Sequence, residues 1–214
     1  MFTGLIQEVG TLISFARQGT EAEIKISTSL ENFEIGESIA IMGACLSVTN
    51  FGPGYFTAFT SYETLEKTGL KDLGSNAKVN IERALKTGDE MGGHIVTGHV
   101  DARVKIISRT KVGKAERFSI TLPSPPINRQ IASKGSVAID GISLTVNDVH
   151  PDSFDLMIIP LSLSHTTLGD AKPGDLVNIE TDVLAKYVAR QLESNTKDSQ
   201  DIDIELLTKA GFMR

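Results

Sequence analysis

The chain has 214 residues, which leaves one domain or two open at the usual ~100–200 residues each. Hydrophobic residues at 40% against 22% charged give material for a packed core and argue against disorder. With 27 acidic and 21 basic residues, a net charge of −6, no Trp and 6% aromatics, the composition disfavours a basic or stacking-rich nucleic-acid binder.

Taken in order, the start Met1-Phe2-Thr3-Gly4-Leu5-Ile6 has neither a basic stretch nor a long apolar run, so it does not read as a secretory signal. Alternation at period two predicts a strand around Ala22-Glu23-Ile24-Lys25-Ile26 and another at Phe118-Ser119-Ile120-Thr121-Leu122. Short β-branched stretches at Ser38 to Ile41, Val79 to Ile81, Val137 to Ile139 and Val177 to Ile179 lie between Gly, Pro, Asn and Asp turn signals. Glu63 to Thr68 and Leu161 to Thr166 have spacing compatible with one or two helical turns each. After Asp182, a candidate N-cap, Leu184, Val188 and Leu192 mark an amphipathic helix. A polar stretch from Ser194 to Asp203 reads as a linker before an apolar segment from Ile204 to Phe212. Cys45 is the sole cysteine, which suits a reducing compartment. No apolar run approaches the ~18–20 residues of a membrane span, and a cytoplasmic location is expected.

Residues 38–82 align without a gap on residues 136–180, with 16 identities in 45 pairs, including the run Val-Asn-Ile-Glu at 79–82 and 177–180. Chance gives about three. Thr3-Gly4-Leu5-Ile6 matches Thr97-Gly98-His99-Val100 at a slightly different offset. The chain is thus two copies of one β unit, each predicted as a small barrel or sandwich, over 1–94 and 95–183, with a helix and tail over 184–214. The copies diverge at polar positions. Cys45 stands opposite Ser143, Met42 opposite Asp140 and Leu5 opposite His99, so the second copy gathers acid–base groups that the first lacks.

Taken singly these residues have plainer readings. A lone Cys is usually an inert small hydrophobe, a Ser beside a glycine turn usually serves the backbone, and Asp140-Gly141 is a hairpin-turn dipeptide. His94 and His99 lack further ligands at zinc spacing, and the glycines around them open no phosphate loop, since no helix signal follows.

Together, the start Met1 to Ile6, the segments Gly43 to Val48, Gly92-Gly93-His94 through Thr97-Gly98-His99-Val100, Ile139 to Val146 and Thr166 to Gly169, and both Val-Asn-Ile-Glu runs resemble the riboflavin synthase family. The resemblance covers residues 1 to about 190. It implies an all-β fold of two six-stranded Greek-key barrels followed by a C-terminal helix that joins three subunits. It implies a transferase that dismutates two molecules of 6,7-dimethyl-8-ribityllumazine to riboflavin and 5-amino-6-ribitylamino-pyrimidinedione, without metal, redox cofactor or nucleotide. It further implies a site between the first barrel of one subunit and the second barrel of its neighbour, and association with lumazine synthase.

The site residues follow from the same resemblance. The first pocket is expected from Gly4-Leu5-Ile6, Cys45-Leu46-Ser47 and Phe59-Thr60-Ser61-Tyr62-Glu63-Thr64. The second is expected from Gly98-His99-Val100, Lys134, Ser143-Leu144-Thr145 and Ile159-Pro160-Leu161-Ser162-Leu163-Ser164. Phe2 and Thr3 are expected over the site. His99 is expected to pair with Ser143 as base and hydroxyl, with Asp140 orienting or charging the imidazole. Cys45 would assist addition or shape its pocket, and Asp182 would be a further acid–base group or a helix cap. Leu161 to Ser164 and Tyr62 depart from the family pattern. The rival reading is a non-catalytic lumazine or flavin carrier of the same fold, which would lose the second-copy polar set kept here.

Overall fold

The computed structural model describes residues 1–198 and residue 208. The first repeat holds β1 (Glu8–Gln18), β2 (Glu21–Ser27), β3 (Ser38–Ile41), β4 (Ala44–Gly52), β5 (Tyr55–Thr60), α1 (Tyr62–Lys67) and β6 (Lys78–Arg83). The second holds β7 (Ala102–Val112), β8 (Ala115–Thr121), β9 (Ser136–Ile139), β10 (Ile142–Val149), β11 (Ser153–Ile158), α2 (Pro160–His165) and β12 (Leu176–Thr181), followed by α3 (Val183–Asp198). Each set of six strands closes into an antiparallel barrel, in the orders β1-β2-β5-β4-β3-β6 and β7-β8-β11-β10-β9-β12. Closure leaves neither barrel with an open sheet edge.

Period-two patterning fills the interiors. Ala22, Ile24 and Ile26 of β2 point inward, as do Phe118 and Ile120 of β8, while the residues between them face out or sit half-buried. Each barrel has its own apolar core. Both short helices fall where the sequence places helical turns, shifted by a residue. Helix α3 begins at the predicted cap, because Asp182 Oδ1 accepts the Leu184 N–H at 2.9 Å. It continues to Asp198, so residues 194–198 are helical rather than linker. Residues 199–203 and the apolar segment 204–212, except residue 208, lie outside the described residues.

The Val-Asn-Ile-Glu runs explain their own repetition. Val79, Ile81, Val177 and Ile179 enter the cores, which turns the intervening Asn and Glu toward the other barrel and the chain termini of the repeats. Asn80 donates from Nδ2 to Asp140 O at 3.0 Å and accepts the Thr167 N–H at 2.8 Å. Asn178 does the same in return, to Met42 O at 2.8 Å and from the Gly69 N–H at 2.9 Å. These reciprocal contacts relate the barrels as a two-fold axis would. Near that axis, Gly43 and Gly141 meet so closely that a Cβ on Gly43 would lie 2.7 Å from Gly141 N.

Two hairpin loops carry those glycines. Met42-Gly43 and Asp140-Gly141 all have positive φ, the geometry of a tight primed turn between β3 and β4 and between β9 and β10. Asp140 therefore does not orient an imidazole, as the resemblance implied. Its Oδ1 accepts the Asn178 N–H at 2.8 Å, and its counterpart Met42 accepts the Asn80 N–H at sulfur, 3.2 Å.

Burial raises the Asp140 carboxyl from 3.8 to about 7, against the Asn178 hydrogen bond and the Arg103 charge. The folded chain keeps this proton where the unfolded chain has lost it, so stability should fall as pH rises from about 4 to about 7. Asp140→Asn retains the acceptor and should flatten that part of the profile in urea midpoints measured across pH. A slope unchanged by the substitution would exclude Asp140 as its source.

Candidate active site

The segments ahead of the barrels, residues 1–6 and 95–100, are straps that lie between the barrels rather than within either one. Phe2 and Val96 pair as an isolated antiparallel bridge, with Phe2 N donating to Val96 O at 2.7 Å and Val96 N to Phe2 O at 3.1 Å. Phe2 is fully buried there with Ala40, Val96 and Ala138, so it forms the seam between barrels and is not a cover over a pocket.

The straps then cross. Ser143 N donates to Gly4 O at 2.8 Å, and Ile6 packs on the second core. Reciprocally, Cys45 N donates to Gly98 O at 2.8 Å, and Val100 packs on the first core. Gly4 and Gly98 both need their hydrogen. Each has positive φ, and a Cβ would stand 2.6 Å from Ser143 Cβ or 2.4 Å from Cys45 Cβ. The two expected pockets therefore exchange their first segments: Gly4-Leu5-Ile6 belongs with Ser143, and Gly98-His99-Val100 with Cys45.

Around Cys45, a cavity of about 170 Å³ is lined by Ala44, Cys45, Glu63, Thr64, Lys67, Thr68, Gly98, His99 and Val100. Cys45 is partly exposed and His99 is exposed. Of the stretch 59–64, only Glu63 and Thr64 reach this cavity. Thr60 is buried, Phe59 and Tyr62 face outward, and Ser61 accepts the Thr64 N–H as the cap of α1. Leu46 and Leu144 point into the barrel cores, which strand alternation after Cys45 and Ser143 requires, while Ser47 and Thr145 are exposed.

Within the chain the partner of Ser143 is His94, while His99 stands with Cys45. His94 Nδ1 lies 2.7 Å from Ser143 Oγ, and its backbone N–H donates to Thr3 O at 3.1 Å. Gly93 permits this approach, since a Cβ there would sit 2.0 Å from Thr3 O. Nε2 of His94 is buried with no protein partner. Burial holds the His94 imidazole below its ordinary pKa, while the negative charges of Asp182 and Glu180 oppose the shift. Asp182 is the cap of α3, and its charge opposes the lowering of the His94 pKa without reversing it. Helix α2 repeats α1 in the second barrel, with Pro160 in its first turn, Ile159 and Leu161 exposed, and Ser164 Oγ donating to Leu161 O. Lys134 is exposed on the turn into β9, where its N–H donates to Val146 O.

Sequence reasoning passed over His94, which it weighed only as a metal ligand. The repeat comparison offers no counterpart for it, because the strap match opens at Thr3 and Thr97. It also read Glu82 and Glu180 only as identities. Glu82 accepts Thr3 N–H at 2.7 Å, Thr3 Oγ1–H at 2.6 Å and Gly4 N–H at 3.0 Å. Glu180 accepts Thr97 N–H at 2.7 Å, Thr97 Oγ1–H at 2.6 Å and Gly98 N–H at 2.9 Å. Burial raises the Glu82 carboxyl despite these bonds.

The Lumazine binding domain family matches residues 3–84 and 97–182. The riboflavin synthase of Actinobacillus pleuropneumoniae is 40% identical over 99% of this chain and all of that protein. That of Bacillus subtilis (strain 168) is 37% identical over the same shares. LumP, solved in complex with 6,7-dimethyl-8-(1'-D-ribityl) lumazine, has the same fold with a TM-score of 0.76 and 21% identity, over 85% of this chain and 99% of that one. A doubled barrel with crossed straps, two matched lumazine-binding repeats and full-length identity near 40% places the chain, an enzyme of the transferase class, in the riboflavin synthase family.

Proposed function

We propose that the chain dismutates two molecules of 6,7-dimethyl-8-ribityllumazine, passing a four-carbon unit from one to the other. The products are riboflavin and 5-amino-6-ribitylamino-pyrimidinedione, whose atoms together equal those of the two substrates. The carrying observation is that one chain holds two related but unequal sites, a cavity lined by Cys45 and His99 and, at the equivalent place in the second barrel, Ser143 hydrogen-bonded to His94. Two copies of one substrate call for two similar pockets, and unlike roles as donor and acceptor call for unlike groups in them.

The reaction needs a proton taken from the C7 methyl of one lumazine and a nucleophile added at C7 of the other. A half-buried imidazole held neutral near pH 7 can accept a proton, and its 2.7 Å bond to Ser143 Oγ links that event to a hydroxyl that can deliver or receive it. Cys45 and the exposed His99 supply a thiol and an imidazole to the other pocket. Incubating the chain with dimethylribityllumazine alone should produce riboflavin absorbance catalytically. Stoichiometric binding without turnover would make it a carrier and would falsify the enzyme reading.

The same proposal includes a cytoplasmic homotrimer that meets lumazine synthase, as the family resemblance implies. Helix α3 is fixed to the second barrel by the Lys186–Asp101 ion pair at 2.8 Å, yet Leu184, Tyr187, Val188 and Leu192 are each more than half exposed. Exposed apolar side chains in such a stripe suit burial by other copies. Light scattering should give three chains for the intact protein and a smaller assembly once the chain is cut before Leu184. An unchanged mass after truncation would remove α3 from the contact.

A further inference from the structure

We infer that Glu82 and Glu180 are positioning residues that act across the barrels, each carboxylate holding the strap that reaches Ser143 or Cys45 of the other barrel. Glu82 lies one residue before the end of β6 in the first barrel, yet the strap it grips presents Gly4 O to Ser143 and Ile6 to the second core. Glu180 lies one residue before the end of β12 in the second barrel, yet its strap presents Gly98 O to Cys45 and carries His99 and Val100 into the cavity of the first.

The grip is of one kind in both halves. Each carboxylate takes two consecutive backbone N–H groups and one threonine hydroxyl, all at 2.6–3.0 Å. Both glutamates are nearly inaccessible to solvent. Burying a carboxylate is costly unless its oxygens are satisfied, so these two hold a strap conformation that the glycines, with their positive φ, leave otherwise loose. Neither glutamate touches the pocket-facing atoms of Cys45 or Ser143 in any hydrogen bond, which separates positioning from catalysis.

The inference rests on reading the two pockets as the sites of the proposed reaction, but its test does not require that reaction. Cys45 is the sole cysteine and reports on the first pocket alone. Iodoacetamide labelling of the full chain, followed by mass spectrometry, should be about tenfold faster in Glu180→Gln, as expected for losing charge-assisted hydrogen bonds from the covering strap. Glu82→Gln, although it lies in the same barrel as Cys45, should label at the wild-type rate. A merely structural role predicts the reverse order, since each substitution would then loosen its own barrel. Faster labelling in Glu82→Gln than in Glu180→Gln, or no change in either, overturns the inference.

Should a glutamine variant fail to fold, Thr97→Val and Thr3→Val remove one hydroxyl each and should show the same order with smaller effects. The reciprocal arm uses Cys45→Ser with Ser143→Cys, where Glu82→Gln should now label faster than Glu180→Gln; the original order there also overturns it. Lumazine turnover, measured separately, bears on the proposed function alone, so failure of either idea is read from a different assay.

Discussion

Ser143→Ala should lower kcat by roughly 10²–10⁴-fold, the range typical of a lost acid–base partner. His94→Gln should cost a similar factor, and the double variant little more than the worse single one. The reason is geometric. In the proposed mechanism one proton route runs through the 2.7 Å contact between Ser143 Oγ and His94 Nδ1, so either substitution would interrupt the whole of it. His99 makes no hydrogen bond to Ser143 within the chain, so His99→Gln should couple to Ser143→Ala only across a contact between subunits. A cycle in kcat showing additive Ser143 and His94 terms would dissolve the pair, and strong coupling of Ser143 to His99 would restore the pairing that the family resemblance implied. Burial lowers the His94 pKa, and a base must be unprotonated to act. The acid limb of kcat should therefore fall below the ~6.5 of an ordinary imidazole.

Gly98→Ala and Gly4→Ala should be the most damaging small substitutions in the straps. Forcing an L side chain to φ +82 or +77 costs about 1–3 kcal/mol. The added methyl would meet Cys45 Cβ at 2.4 Å or Ser143 Cβ and N at 2.6 Å, and such overpacking adds about 1–3 kcal/mol more. At about 2–4 °C per kcal/mol for a chain of this size, Tm should drop by roughly 5–20 °C. Gly54→Ala is the internal comparison, because its φ is +76 but nothing lies within 4 Å. It should show the backbone cost alone. Equal losses at Gly54 and Gly98 would mean that the strap contact contributes nothing.

The barrels were legible in the sequence because their signals are local. Alternation in Ala22 to Ile26, the Asp140-Gly141 turn and the repeated Val-Asn-Ile-Glu run each act over a few residues, and duplication doubled the evidence for them. The pockets were only partly legible. That Cys45 and Ser143 occupy equivalent places followed from alignment, but which strap faces which barrel depends on the path between them. Contacts such as Gly98 O to Cys45 N span 53 positions and leave no periodic trace. Alternation turns the Leu46 and Leu144 side chains inward, which leaves only their backbone groups to face a ligand. His94 was hidden for another reason, since a solitary histidine after glycines carries no pattern until Ser143 is seen beside it.

The crossed straps have the form of an isologous contact, in which the same patch on each half meets its equivalent on the other. A single repeat with such a strap would complete its pocket only by borrowing the strap of a twin, and both pockets would then be identical by symmetry. Joining two repeats in one polypeptide removes that symmetry while keeping the exchange. Leu5 and His99 were then free to differ, and each change registers in the opposite half. The histidine written into the second repeat serves the cysteine of the first, and the leucine of the first lies with the serine of the second.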